Sequence, residues 1–111
     1  MRYKVEYIET ARQDVGGIKE YLSQFYPSTP LKVLAEIKKS VENLRDNPFI
    51  CPEHEGNPAY RRMVVLDYLV FYKVFEATGV MEIHRVLHGK RDIKAYLPKN
   101  EGQTEGEETQ K

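Results

Sequence analysis

The beginning of the chain alternates between apolar and polar residues. Tyr3, Val5 and Tyr7 fall on one side of the alternation, and charged residues separate them. A period of two is typical of a half-buried β-strand. We therefore expect a strand over residues 2–8.

The next segment repeats its apolar residues every three or four positions, which is the period of an amphipathic helix. The apolar face consists of Ala11, Val15, Ile18, Leu22 and Phe25. Thr10 and Gln13 have the spacing of a capping box, in which each side chain satisfies a backbone amide of the first turn. The first helix is therefore expected to begin at Thr10.

A second helix is predicted after a break at residues 26–30. Thr29 can cap a helix, and Pro30 suits the first helical position. The apolar stripe that follows consists of Leu34, Ile37, Val41 and Leu44, and the pattern ends near Asp46. Two amphipathic helices joined by a short turn pack antiparallel, so we expect a helical hairpin.

The pattern returns to a strand-like period in the second half of the chain. Residues 47–58 contain three prolines and one glycine, which predicts an irregular connection. Three segments rich in Val, Ile, Tyr and Phe follow, at residues 60–66, 68–75 and 80–88. Short separating segments favour hairpins and hence an antiparallel meander. The middle segment is apolar on both faces except at Lys73, so both faces need cover.

These elements predict an α+β fold of order β-α-α-β-β-β. An antiparallel β-sheet, formed by the first strand and the meander, is expected to pack on the α-helical hairpin. The other sheet face would be shielded by the C-terminal segment, by a partner, or by both.

Length and composition fit one small domain, since the chain has 111 residues and 41% hydrophobic residues. We expect this domain over residues 1–97 and a disordered acidic tail over residues 98–111. A secretory signal and an apolar run of about 18 residues are both missing, and Cys51 is the only cysteine. These observations favour a cytoplasmic protein with no membrane association.

The net charge of zero conceals an uneven distribution. Residues 60–99 contain eight basic and four acidic side chains, whereas residues 100–111 contain one and four. Basic charge concentrated in one region fits an anionic partner, either nucleic acid or an acidic protein segment. A solvated face is the alternative interpretation.

No metal or other cofactor is expected. His84 and His88 would lie ~13 Å apart on a strand, at ~3.3 Å per residue, so they cannot share one ion. Cys51 and His54 have close spacing but lack the second pair of ligands that a tetrahedral site needs.

Three stretches of sequence resemble a known family. They are TARQD at residues 10–14, YRR at 60–62, and YLVFYKV at 68–74 leading to IHRVLHGKRDI at 83–93. In this order the chain resembles the RelE/ParE superfamily of type II toxin-antitoxin toxins, which includes plasmid stabilisation proteins, over residues 1–97. The resemblance implies a cytoplasmic growth inhibitor that a cognate antitoxin holds inactive in a hetero-oligomer.

The superfamily contains two functional classes. RelE-like members cleave messenger RNA in the ribosome without a metal, whereas ParE-like members poison DNA gyrase and are not nucleases. Arg61 and Arg91 match basic positions of the RelE-like site, and Tyr96 lies about one residue out of register with its tyrosine. Met63 and Leu69 stand where two further cations are expected. Because these cations would stabilise the phosphate in the transition state, their loss favours the ParE-like class.

The resemblance also gives candidate site residues. If the chain is RelE-like, the catalytic residues would be Arg61, Arg91, Tyr96 and His88. His88 could act as an acid or base near neutral pH, or simply hydrogen-bond the adjoining turn. Binding of the antitoxin or the target would use basic residues that share one surface and hold carboxylates or phosphates. These are Arg61, Arg62, Arg85, Lys90 and Arg91. The alternatives to a gyrase poison are a ribosome-dependent ribonuclease and a non-toxic binding module.

Overall fold

The computed structural model describes residues 2–25 and 29–89. The chain forms strand β1 (Lys4–Tyr7), helices α1 (Glu9–Ser23) and α2 (Thr29–Asn43), a short 3-10 helix (Leu44–Asp46), and strands β2 (Glu53–His54), β3 (Asn57–Val65), β4 (Tyr68–Phe75) and β5 (Val80–His88). The predicted tail at residues 98–111 lies outside the described residues. The α+β class is confirmed, but the predicted order β-α-α-β-β-β lacks β2, which forms within the segment expected to be an irregular connection.

The five strands form one sheet in the order β1-β5-β4-β3-β2. Strands β3, β4 and β5 are the expected antiparallel meander. At one edge the sheet differs from the expectation, because β1 pairs with β5 in parallel, with Lys4 opposite Val80 and Tyr7 opposite Ile83. A parallel pair needs a long crossover, and the helical hairpin and meander together supply it. The sheet is therefore mixed and not wholly antiparallel.

The main core lies between the helical hairpin and one face of the sheet. The helices contribute Ala11, Ile18, Ile37 and Val41, and the sheet contributes Met63, Val65, Val70, Tyr72, Met81, Ile83 and Val86. The helical residues are those that the period of three and four selected. Their burial removes apolar surface from water at about 25 cal/mol per Å² and so stabilises the hairpin on the sheet.

The opposite face of the sheet, here called the distal face, has a small apolar cluster of its own. It consists of Tyr60, Phe71 and Leu87, with Leu69 packed against them. Phe71 belongs to this cluster while its neighbours Val70 and Tyr72 belong to the main core, since successive side chains of a strand point to opposite faces. The prediction that β4 is covered on both faces is confirmed for these residues.

The helix boundaries differ slightly from the expected ones. α1 begins at Glu9, and Ile8 precedes it without a side-chain cap, so the expected capping box at Thr10 is wrong. The backbone N–H of Ile8 donates to the carbonyl of Ile83 at 3.1 Å, which ties the strand pairing directly to the first helical turn. Neither described helix is long and apolar enough to span a membrane.

Candidate functional site

Arg85 is held by the first helix. Its Nε and Nη2 atoms donate to the two carboxylate oxygens of Asp14 at 2.8 and 2.9 Å. The same carboxylate accepts the backbone N–H of Val86 at 2.9 Å. Since β1 pairs with β5 only as far as Ile83, Asp14 occupies the edge of β5 beyond that pairing. The guanidinium of Arg85 is therefore engaged within the fold.

Arg61 is bound to the preceding connection, residues 47–52. Its Nη1 atom donates to the carbonyl of Cys51 at 2.6 Å and to that of Phe49 at 3.2 Å. The guanidinium also lies 5.1 Å from the centroid of the Phe49 ring, and Nη2 is 3.7 Å from a carboxylate oxygen of Glu53. These contacts satisfy carbonyls of an irregular segment, so Arg61 anchors the connection to β3.

Arg62 belongs to the distal face. It stands opposite Phe71 in β4. The pKa of the His54 imidazole is lowered mainly by burial and, to a smaller extent, by the positive charge of Arg62. The other arginines of the described residues each form an ion pair with a carboxylate: Arg2, Arg12, Arg45, Arg61 and Arg85. Arg62 is the exception within this part of the chain, since it forms no ion pair with a described carboxylate.

The predicted basic residues share one surface only in part. Arg62 and Arg85 both stand opposite Phe71 and so leave the sheet on the distal face, although Arg85 also reaches Asp14 of α1. Arg61 lies on the other face, against the connection. Adjacent residues of a strand point to opposite faces, so Arg61 and Arg62 could not have shared one. Lys90, Arg91 and Tyr96 lie outside the described residues. Of the described arginines, Arg62 and Arg85 therefore share a face, and Arg61 does not.

His88 borders a cleft at the end of the meander. Its ring meets the ring of Tyr68 edge-on at 5.5 Å between centroids. The cleft has a volume of about 410 Å³, and its lining consists of Val64, Leu66, Asp67, Tyr68, Leu69, His88 and Gly89. The backbone N–H of Gly89 donates to the carbonyl of Asp67 at 2.9 Å, which joins the end of β5 to the turn between β3 and β4.

That turn carries an unusual leucine. Leu66 has a φ of 56°, and it is the one non-glycine residue with positive φ in the described part of the chain. Two-residue hairpin loops usually place Gly, Asn or Asp at such positions. Leu66 is 59% exposed and Val64, two residues before it, is 68% exposed. We call Val64, Leu66 and Asp67 the hairpin tip.

A polar cluster on the distal face was not anticipated from the sequence. The His84 Nε2 atom lies 2.9 Å from the Glu82 carboxylate, and Nδ1 lies 3.4 Å from the Tyr60 hydroxyl. The ammonium of Lys73 sits 4.8 Å from the centroid of the Tyr60 ring. Both ring nitrogens of His84 have partners, so this cluster ties β3, β4 and β5 together. The signal was the Glu82-Ile83-His84 spacing, which places both polar side chains on one face of a strand.

In the stretches 2–25 and 29–89, no three His, Cys, Asp or Glu side chains come close enough to hold an ion.

His54 packs edge-on against Phe71 at 5.2 Å between ring centroids. Burial and a hydrogen bond with Cys51 raise the pKa of the Tyr72 phenol.

A groove runs between the helical hairpin and β1. It has a volume of about 370 Å³ and is lined by Tyr7, Arg12, Val15, Leu34, Ile37, Lys38 and Glu42. The aliphatic side chains form its apolar part, and the charged ones border it. We call this feature the helical groove. An apolar groove with a charged border fits an amphipathic polypeptide segment.

A comparison with protein families finds one match. The family described as the ParE toxin of the type II toxin-antitoxin system, parDE, matches residues 5–93. This range contains both helices and four of the five strands in full, with most of β1. No curated protein matches the chain.

Solved structures with the same fold include toxins from several bacteria. The chromosomal ParDE toxin-antitoxin system of P. aeruginosa matches with a TM-score of 0.69 at 15% identity, covering 78% of this chain and 96% of that one. The isolated E. coli RelE toxin matches with a TM-score of 0.59 at 19% identity, covering 81% and 87%. The RelBE2 complex of Mycobacterium tuberculosis matches with a TM-score of 0.57 at 19% identity, covering 79% and 99%.

Proposed function

Since this chain belongs to the ParE toxin family of type II toxin-antitoxin systems, we propose that it arrests growth by poisoning DNA gyrase and that a cognate antitoxin holds it inactive. The family match over residues 5–93 carries the proposal. Gyrase is a cytoplasmic enzyme, so the toxin acts in the cytoplasm. Bound to its antitoxin, it forms a hetero-oligomer.

The positions of the residues aligned with the RelE-like site support a gyrase poison over a ribonuclease. Cleavage of RNA without a metal needs cations that stabilise the extra charge on the phosphate. Arg61 is engaged with the carbonyls of Phe49 and Cys51. Met63 is buried in the main core, and Leu69 packs in the apolar cluster of the distal face. A gyrase poison acts by binding and needs none of these cations.

The helical groove is the surface that we propose for the antitoxin. Val15, Leu34 and Ile37 provide apolar contact area, and Lys38 stands at the border. An antitoxin segment that is apolar on one face and acidic on the other would fit this arrangement. Leu34→Asp in α2 is therefore expected to weaken antitoxin binding at least tenfold. Leu31→Asp, at an exposed residue of α2 outside the groove lining, controls for the added charge, and thermal unfolding of both variants shows whether Leu34→Asp remains folded.

The proposal is tested by expressing the chain in its host with and without the antitoxin. We expect expression alone to stop growth and induce the DNA damage response while transcripts remain intact, and co-expression of the antitoxin to restore growth. Transcripts cut within codons would support the RelE-like alternative instead. Normal growth without the antitoxin would identify a non-toxic binding module.

A further inference from the structure

The leucine at the hairpin tip stands at a position where folding favours another residue. A side chain with a Cβ atom is disfavoured in the left-handed region, whereas glycine and asparagine adopt it at little cost. Leu66 has this conformation with a φ of 56°. It is also 59% exposed, so most of its surface gains nothing from burial. A contact outside the chain explains the presence of leucine here better than the stability of the fold does.

The strand that leads to the tip has an open outer edge. Strand β2 pairs with β3 only at Arg61 and Asn57, and the backbone N–H of Arg62 donates to the carbonyl of Pro52. Past Arg62, no other described strand lies along that edge. Val64 is 68% exposed at this point. Proteins usually protect such an edge with charge or with a covering segment, so an apolar one indicates a binding surface.

The guanidinium of Arg62 lies beside this edge. Arg62 and Val64 are two residues apart in β3 and therefore share the distal face. Arg62 has no ion pair with any described carboxylate, and an arginine fork can hold a partner's carboxylate at two points. The partner that fits is a protein surface with an apolar cleft bordered by Asp or Glu.

The hairpin tip and the helical groove lie at different positions across the strand order of the sheet. Strands β5 and β4 separate β1, beside the groove, from β3, which leads to the tip. Three strand spacings correspond to about 14 Å. The helical groove suits a wrapping antitoxin segment, whereas Val64 and Leu66, both more than half exposed, offer apolar contact area to a larger protein.

We infer that the hairpin tip, together with Arg62, is the contact by which the toxin engages its target protein. The tip would insert its two apolar side chains into a cleft of the target while Arg62 pairs with a carboxylate at the border of that cleft. The identification of the target as DNA gyrase rests on the proposed function. The antitoxin would bind elsewhere on the toxin.

Substitutions at Leu66 separate this role from a structural one. Leu66→Asn and Leu66→Gly both suit a positive φ, so each variant should melt at the same temperature as the wild type or higher. With purified gyrase and plasmid DNA, each should need at least tenfold more toxin for half-maximal DNA cleavage. Arg62→Gln should show a similar loss and a weaker dependence on salt. Leu31→Asn, at a residue that is 70% exposed on α2, should act like the wild type.

Each result supports or overturns the inference. All four variants should bind the antitoxin with the affinity of the wild type. A Leu66→Asn variant with full potency would overturn the inference, and so would a parallel loss of antitoxin affinity, which would assign the tip to the antitoxin interface. If the wild type arrests growth without poisoning gyrase, the proposed function fails. The growth assay then tests the role of the hairpin tip separately. If Leu66→Asn still arrests growth, the inference is overturned. If Leu66→Asn no longer arrests growth while Leu31→Asn does, the inference is supported.

Discussion

The carboxylate of Asp14 holds the guanidinium of Arg85 at two points, although 71 residues separate them in the chain. The side chains are only 13% and 17% exposed. Asp14 ends the TARQD stretch, and Arg85 lies in the IHRVLHGKRDI stretch, so two of the three segments that resemble the toxin superfamily meet in this ion pair. The pair fixes α1 across the end of β5.

Removal of the Asp14 carboxylate should destabilise the protein strongly. Asp14→Ala leaves the Arg85 charge largely buried and the Val86 N–H without its acceptor, and we expect a loss of about 3 kcal/mol in the free energy of unfolding. Urea denaturation measures this loss.

Asp46→Ala is the matched control, because it breaks an ion pair with Arg2 in which both side chains are more than half exposed. Its expected effect is within about 0.5 kcal/mol. Equal stability of the two variants would show that the Asp14 pair does not fix the helix.

Much of the fold follows from the sequence, because the apolar periodicity changes from helical to strand-like at residues 47–58. The direction of β1 does not follow, since alternation predicts a strand but not its partner. The boundary of α1 was missed because the pairing of Ile8 with Ile83 depends on the tertiary fold.

The candidate site was less predictable. Alternation alone could have separated Arg61 from Arg62, and it could have revealed the Glu82 and His84 pair. The Asp14 and Arg85 pair depends on long-range packing that no local pattern encodes. The backbone conformation of Leu66 was also hidden, since nothing about a leucine indicates a positive φ.

The two adjacent arginines of β3 should give opposite results when replaced. Arg61→Ala removes the hydrogen bonds to Phe49 and Cys51 and should destabilise the fold by about 1–3 kcal/mol. Arg62→Ala makes the same change in charge but breaks no ion pair among the described residues, so it should change stability by less than about 0.5 kcal/mol. Thermal unfolding compares them, and faster amide exchange at residues 49–53 in Arg61→Ala alone would identify the anchored connection.

Stability should fall in alkaline solution because of buried phenols. Burial raises the pKa of Tyr7, Tyr60 and Tyr72 above the ordinary 10.0. The tyrosines of the unfolded chain therefore ionise first. Their contribution to the free energy of unfolding is fully present below pH 10 and is lost as the pH rises above it. Urea midpoints measured from about pH 8 to 11 should show this decline.

Tyr72→Phe provides the comparison. It loses the hydrogen bond from the Tyr72 hydroxyl to the carbonyl of Pro48, worth about 1 kcal/mol at neutral pH, but it should be less sensitive to pH above 10. An equal slope in the variant and the wild type would exclude Tyr72 as a cause.

Acid should weaken the fold through His54. Burial, followed by the charge of Arg62, lowers the pKa of this imidazole below the ordinary 6.5, and its Nδ1 atom is buried without a hydrogen bond to any described group. The unfolded chain takes up the proton first, so stability is lost as the pH falls below 6.5 toward the lowered pKa. An NMR titration should show this lowered pKa and a rise in Arg62→Gln. An unchanged value in that variant would contradict the contribution of Arg62.

Gyrase poisoning is tested with the purified wild-type chain, gyrase from its own host and a supercoiled plasmid. We predict that the chain causes cleaved DNA to accumulate in covalent complex with gyrase, that the antitoxin abolishes this effect, and that messenger RNA in translating ribosomes remains intact. An unaffected gyrase together with messenger RNA cut in the ribosome would show that the chain is a ribonuclease and not a gyrase poison.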